Sequence, residues 1–82
     1  MMSGQPVRIA VIFEPGKKAK PVWFQLNRQQ VKVKETTYHW KDKVGATPLV
    51  HYAVVAEESG DLYELVFNPS DETWSIYSHK TE

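Results

Sequence analysis

The chain has 82 residues, ten basic and ten acidic side chains, and no cysteine. This length fits one domain, and the lack of cysteine excludes disulfides, zinc–thiolate sites and thiol nucleophiles. No apolar run approaches the ~20 residues that a membrane span needs, and residues 1–7 do not resemble a secretory signal. We therefore expect one cytoplasmic domain over residues 1–82, with residues 1–6 and 79–82 frayed and no membrane contact.

The N-terminal half predicts three strands, because short runs of alternating apolar and polar residues are separated by turn residues. The first strand, 7–13, ends at a Glu-Pro-Gly turn, and the second and third, 22–26 and about 30–40, flank a turn at 27–30. Pairing Leu26 with Val31 sets Phe24 opposite Val33, so that these apolar residues share one face. The apolar phase then changes, which predicts a β-bulge around 35–37 and places Trp40 in the core.

The C-terminal half predicts three more strands, at 49–56, 62–67 and 73–78, after a polar loop at 42–48. Turns at 58–61 and 68–71 join them into two hairpins. The expected registers set Val54 opposite Leu65, Ala56 opposite Tyr63, Tyr52 opposite Phe67, Trp74 opposite Phe67 and Ile76 opposite Leu65. One face then collects six large apolar residues: Tyr52, Val54, Leu65, Phe67, Trp74 and Ile76. The predicted fold class is all-β, a small antiparallel meander of five or six strands curled into a partly open barrel.

The sequence lacks the spacing patterns of enzymes and metal sites. His39, His51 and His79 are not spaced like a metal pair such as HExxH, and we interpret them as partly exposed structural residues. No serine lies in a nucleophile elbow, and the acids at 57, 58 and 61 cluster at a predicted hairpin tip. We expect a protein that is not an enzyme and that uses no cofactor or metal.

Charge is distributed unevenly along the chain. Residues 1–43 carry nine basic and three acidic side chains, a net charge of +6, whereas residues 44–82 carry one basic and seven acidic, a net charge of −6. Such asymmetry is typical of proteins that bind a polyanion or associate with themselves. In a small β fold, however, the two halves can interleave, so that the difference averages out over the surface.

Basic residues beside an aromatic one form the candidate binding site. Alternation puts Trp23 on the face opposite to the core, near Lys34, with Gln25 near Lys32. An exposed Trp can stack a base while lysines hold phosphates. The candidate residues are Trp23, Arg28, Lys32, Lys34, Lys17, Lys18 and Lys20.

Other interpretations of the same residues stay open. Strand lysines can serve only to prevent edge-to-edge aggregation, and lysine stems can cover Trp23. An exposed Trp is also a typical anchor of a protein interface. The expected partner is single-stranded nucleic acid or a protein, and the expected state is a monomer or weak homo-oligomer.

Several stretches of the chain resemble one family. They are residues 21–33 with Trp40, Tyr52-Ala53-Val54, residues 60–65, and Trp74-Ser75-Ile76. Together they resemble an uncharacterised family of small bacterial all-β domains of unknown function, which occur alone or near translesion DNA polymerase-like proteins. The resemblance covers about residues 21–78 and implies the fold and a DNA-repair setting, but no activity. The family's basic turn is richer in Gly and Arg, and only Arg28 matches it here.

Overall fold

A computed structural model of the chain describes residues 5–80, with the side chains of residues 5–77. It contains one antiparallel sheet with the strand order β1-β7-β6-β5-β4-β3-β2. The strands are β1 (Gln5–Pro6), β2 (Ile9–Ile12), β3 (Lys20–Leu26), β4 (Gln29–Val44), β5 (Thr47–Ala56), β6 (Leu62–Asn68) and β7 (Thr73–Lys80). Between residues 5 and 80 there is no helix of the length and apolar character that crossing a membrane requires.

The sheet is a meander that curls until its two edges are bridged by the start of the chain. β1 pairs with β7 and β2 pairs with β3, although only Val7 and Arg8 separate the two strands. The Val7 N–H donates to the Trp74 carbonyl at 3.1 Å, and the Arg8 carbonyl accepts from the Gln25 N–H at 2.8 Å. The predicted all-β antiparallel meander, curled into a partly open barrel, is confirmed. Residues 5–80 form seven strands because a short strand, Gln5–Pro6, precedes the strand that corresponds to the first predicted one.

Some of the terminal residues that were expected to fray lie in strands. Gln5 and Pro6, expected to be frayed, form β1, and the backbone of β7 continues to Lys80. The remaining positions of that prediction, 1–4 and 81–82, lie outside the described residues.

The core lies on the inner, concave face of the sheet. Its buried members are Phe24, Tyr52, Val54, Ala56, Tyr63, Leu65, Trp74 and Ile76. The Phe24 ring on β3 meets the Tyr63 ring on β6 edge to face, with centroids 5.0 Å apart, a contact that only a strongly curled sheet permits. Five of the six predicted core residues are buried, and the sixth, Phe67, is partly buried against Trp74 at 4.9 Å.

One of the three predicted hairpin registers is confirmed, and two are displaced. Trp74 lies opposite Phe67 as expected. In the β5–β6 hairpin, Val54 lies opposite Tyr63 rather than Leu65, because the loop occupies 57–60 and ends at Gly60 with φ +75°. In the β3–β4 hairpin, Phe24 lies opposite Val31, because the turn has only two residues. Both displacements are of two residues, which leaves the paired side chains of β3, β5 and β6, and of β4 up to Val33, on their predicted faces.

The predicted polar loop at 42–48 is instead part of a long hairpin arm. β4 and β5 stay paired up to Val44 and Thr47. The turn is only Gly45–Ala46, and Gly45 adopts φ +63°. Positive φ at a hairpin turn matches the right-handed twist of the two strands, so a short turn can replace the loop.

β4 contains two bulges, where the sequence predicted one. The register shifts between Val33 and Glu35 and again between Thr36 and Tyr38. Lys34 and Thr37 are therefore the extra residues, and the Thr37 hydroxyl donates to the Ala53 carbonyl at 3.2 Å. Each shift inverts the alternation of inner and outer side chains, so the second shift restores it, and Trp40 lies on the outer face. Its predicted place in the core is wrong.

Candidate functional site

Trp23 lies on the outer face of β3, where it is half-buried. Its neighbour across the strands is Lys32 of β4, and Ala10 of β2 lies on its other side. The sequence predicted Lys34 as the neighbour, but the short turn moves Lys32 into that position and Lys34 becomes a bulge residue. A partly exposed indole side chain therefore lies directly beside an exposed lysine.

The other predicted cations surround this pair unevenly. Lys20 begins β3 opposite Ile12, and register places it on the outer face with Trp23. Lys17 and Lys18 lie in the exposed loop beyond it, where Lys17 pairs with Glu14 at 3.4 Å. Arg28 lies at the other end of the hairpin, eight residues and roughly 25 Å from Lys20 at ~3.3 Å per residue. The structure thus brings Trp23, Lys32 and Lys20 onto one face, and places the loop lysines and Arg28 at its two ends.

Most of these cations are available to a ligand. Within the described residues, no ion pair is formed by the following side chains: Lys18, Lys20, Arg28, Lys32 and Lys34. All five are exposed. The pair that Lys17 makes is also exposed, and such surface pairs contribute little free energy. A polyanion would therefore displace few existing contacts.

Arg28 occupies an unusual backbone conformation. Asn27 and Arg28 have φ values of 51° and 68°, so both central residues of the turn are left-handed. This is the type I′ turn that two-residue hairpins favour, usually with Asn and then Gly. Asn tolerates the conformation, whereas for a residue with a longer side chain it costs roughly 1–2 kcal/mol. Strain retained in an exposed turn is a reason to look for a role of the Arg28 side chain.

A ladder of aromatic rings lies further along the outer face, and the sequence did not predict it. Tyr38 stacks on Trp40 with centroids 5.4 Å apart, and Trp40 stacks on His51 at 4.8 Å with an interplanar angle of 10°. Tyr77 meets His51 edge to face at 6.3 Å. Trp40 and His51 are direct cross-strand partners. The signal in the sequence was the spacing of Tyr38 and Trp40, which fits one face of a strand.

His51 anchors this ladder to the sheet. It is 8% exposed, so the prediction of a partly exposed histidine is wrong for it. Its Nδ1 lies 2.6 Å from Glu64 Oε2, a short distance typical of a charge-assisted hydrogen bond. Its Nε2 lies 3.7 Å from Asp42 Oδ2 and has no hydrogen-bond partner within the described residues. His39 is exposed, and the side chain of His79 lies outside the described residues.

Two shallow grooves flank the sheet. One, of about 240 Å³, lies between the β3–β4 and β5–β6 turns and includes Lys32, Glu58 and Tyr63. The other, of about 440 Å³, lies on the β4–β5 arm and includes Lys41, Lys43 and Leu49. Among the described residues, no three His, Asp or Glu side chains are placed to share a metal ion.

The fold and these residues define a small all-β domain with an apolar inner face and an outer face that carries aromatic residues and charges of both signs. Comparison of the chain with known protein families, with curated proteins and with solved structures finds no match. The family resemblance seen in the sequence, and the DNA-repair setting that it implies, stay predictions.

Proposed function

We propose that this domain is a non-enzymatic binding module for single-stranded nucleic acid that works in the cytoplasm, in a DNA-repair setting. The observation that carries the proposal is the cross-strand pair of Trp23 and Lys32 on the outer face. An open strand exposes bases that can stack on an aromatic ring, and its phosphates attract nearby ammonium groups. This pair offers both contacts side by side.

The surroundings of the pair support the same ligand. Trp23 is half-buried, so its ring is already ordered and loses little conformational freedom on binding. Lys20 shares its face, and Lys32 and Lys20 are free of ion pairs within the described residues. Base stacking contributes about 1–3 kcal/mol per base, and each neutralised phosphate releases counterions, which makes binding sensitive to salt.

Titration with oligothymidylate tests the proposal, with fluorescence anisotropy of a labelled oligonucleotide as the readout at two salt concentrations. We expect binding at low salt that weakens as salt is added. Trp23→Ala should weaken binding about 10- to 100-fold, which corresponds to the loss of one stacked base. Trp23→Phe should retain part of that affinity, because Phe keeps an aromatic ring. A protein that does not bind at low salt would overturn the proposal.

A matched pair of lysine variants tests the position of the site. Lys32→Gln should weaken binding and reduce the salt dependence by about one phosphate contact. Lys43→Gln removes the same charge from the far end of the same strand, on the β4–β5 arm, and should leave affinity nearly unchanged. Equal effects of the two substitutions would show attraction by overall charge without a site at Trp23.

A second function, protein–protein interaction or self-association, is favoured by a different observation. Ile12 and Phe13 are adjacent and are 46% and 67% exposed. Exposed apolar residues beside charged ones can anchor an interface. Sedimentation over a range of concentrations tests self-association: a mass that rises in the wild type and stays constant in Phe13→Ser would support it. A constant monomer mass in the wild type would exclude self-association.

A further inference from the structure

Tyr38 is a large aromatic residue that is exposed and nevertheless held in place. It is 64% exposed, which by itself predicts a freely rotating side chain. One face of its ring, however, stacks on Trp40. Trp40 lies towards the tip of the β4–β5 arm, so the uncovered face of Tyr38 is turned back along β4, towards Lys32 and Trp23.

Buried contacts fix the orientation of this ring. The Glu64 carboxylate holds the His51 ring at 2.6 Å, and His51 supports Trp40 at an interplanar angle of only 10°. The Thr37 bulge, with its hydroxyl bonded to Ala53, turns Tyr38 to the outer face. An ordered platform binds a flat ligand at a lower entropic cost than a mobile ring does. The core does not need this arrangement, because Tyr38 is mostly in solvent.

We infer that Tyr38 is a second base-stacking platform, and that a single strand of nucleic acid runs along the outer face of β4 from Trp23 to Tyr38. This inference rests on the proposed function and extends it to the length and direction of the bound strand. Lys32 and Tyr38 are six residues apart, but the two bulges between them leave only four residue steps of β5, from Glu57 to Ala53, over the same distance. Four steps correspond to roughly 13 Å in an extended strand. At a stacked-base rise of ~3.4 Å this distance spans about four nucleotides, and a more extended strand needs fewer.

Charges along this path favour an anion at one end and oppose it in the middle. Lys32 and the bulged Lys34 are exposed and free of ion pairs within the described residues. Glu35 is also exposed and shares the outer face by register, between Lys32 and Tyr38. The Asp42 carboxylate lies beyond Trp40 and faces His51, so a strand reaches Tyr38 before it meets this charge. Glu35→Gln should therefore strengthen binding of long oligonucleotides by a few fold.

The experiment is a length series of oligothymidylates from about two to about ten nucleotides at low salt. In the wild type, affinity should rise with length and level off near about four nucleotides, once both platforms are occupied. Tyr38→Ala should abolish this increase, so that long oligonucleotides bind the variant about 10- to 100-fold more weakly than they bind the wild type. The affinity for the shortest oligonucleotides should stay unchanged. Tyr38→Phe keeps the ring and should behave like the wild type. Glu64→Gln, which weakens the anchor of the ladder, should act in the same direction as Tyr38→Ala, with a smaller effect.

The outcomes separate this inference from the function on which it rests. If no oligonucleotide binds the wild type, the proposed function fails. Suppose that oligonucleotides bind the wild type and that Trp23→Ala weakens this binding. If Tyr38→Ala then leaves the affinity for every length unchanged, only the second platform is wrong. Binding of the shortest oligonucleotides by the Tyr38→Ala and Glu64→Gln proteins serves as the control that both are folded.

Discussion

Replacing Arg28 by glycine should stabilise the protein and weaken its binding at the same time. Arg28 has φ 68° in a two-residue turn where glycine is the favoured second residue. Removing the strain of a non-glycine residue in the left-handed backbone conformation should raise the free energy of unfolding by roughly 1–2 kcal/mol. The greater conformational freedom of glycine in the unfolded chain should lower it by about 0.5–1 kcal/mol. The Arg28 side chain is exposed and forms no ion pair within the described residues. The net expectation is a gain of about 0.5–1 kcal/mol in the free energy of unfolding.

Thermal and urea denaturation measure this change. For a domain of this size, the gain corresponds to a rise in Tm of roughly 2–8 °C. Arg28→Ala removes the charge but keeps the Cβ atom, and should stay within about 0.5 kcal/mol of the wild type. Lys43→Gly is the second control, because it places glycine in an extended strand and should destabilise by about 0.5–1 kcal/mol.

Two results would refute the reasoning about Arg28. A fall in stability for Arg28→Gly would mean that the side chain makes a contact that outweighs the backbone strain. An equal gain for Arg28→Ala would assign the effect to charge instead of conformation. The oligonucleotide titration supplies the functional readout, since both variants lose a cation and should show reduced affinity and salt dependence.

Two further predictions concern the inner face. Phe24→Ala removes a fully buried ring from the centre of the core and should reduce the free energy of unfolding by about 3–5 kcal/mol, measured in urea. Phe13→Ala, at a mostly exposed position, is its control and should change little; similar losses for both would contradict the placement of the core. Burial raises the pKa of Tyr52 above its ordinary value of 10.0, so its neutral form stabilises the fold below that pH and this contribution is lost as the pH rises above it. Tyr52→Phe should therefore lose less stability than the wild type between neutral pH and about pH 11, and equal losses would contradict the buried hydroxyl.

The inner face was predictable because it depends on alternation alone. Phe24, Val54 and Leu65 lie on the predicted face although two hairpin registers are displaced, since a displacement of two residues preserves the face. The registers themselves depend on loop lengths. Those lengths depend on positive φ values at Arg28 and Gly60. A sequence predicts a positive φ at a glycine but not at an arginine.

The outer face was predictable only in part, for a reason that β4 makes clear. Trp23 and Lys32 followed from alternation, but Trp40 was assigned to the core because large aromatic residues are usually buried. An uninterrupted alternation from Val33 would have placed Trp40 outside, where it lies, because the bulges at Lys34 and Thr37 cancel. Neither bulge is marked by glycine. The stack of Trp40 on His51 depends on the register between β4 and β5. That register is set by the short turn at the tip of the β4–β5 arm, where the sequence predicted a longer polar loop.

Several features that work against stability lie away from the centre of the core. Arg28 is strained in its turn, Tyr38 exposes an aromatic ring, and His51 keeps a buried nitrogen without a hydrogen-bond partner in the described residues. All three are in the β3–β4 turn or on the outer face. The inner face also has one such feature, the buried Thr36 hydroxyl, which lacks a hydrogen-bond partner in the described residues, and Glu72 in the β6–β7 turn has φ 58°. Local departures from stable design are expected at functional sites. If that explanation holds here, substitutions on the outer face and in the turn should change affinity more than stability. Substitutions on the inner face should lower stability and leave the affinity of the folded protein unchanged.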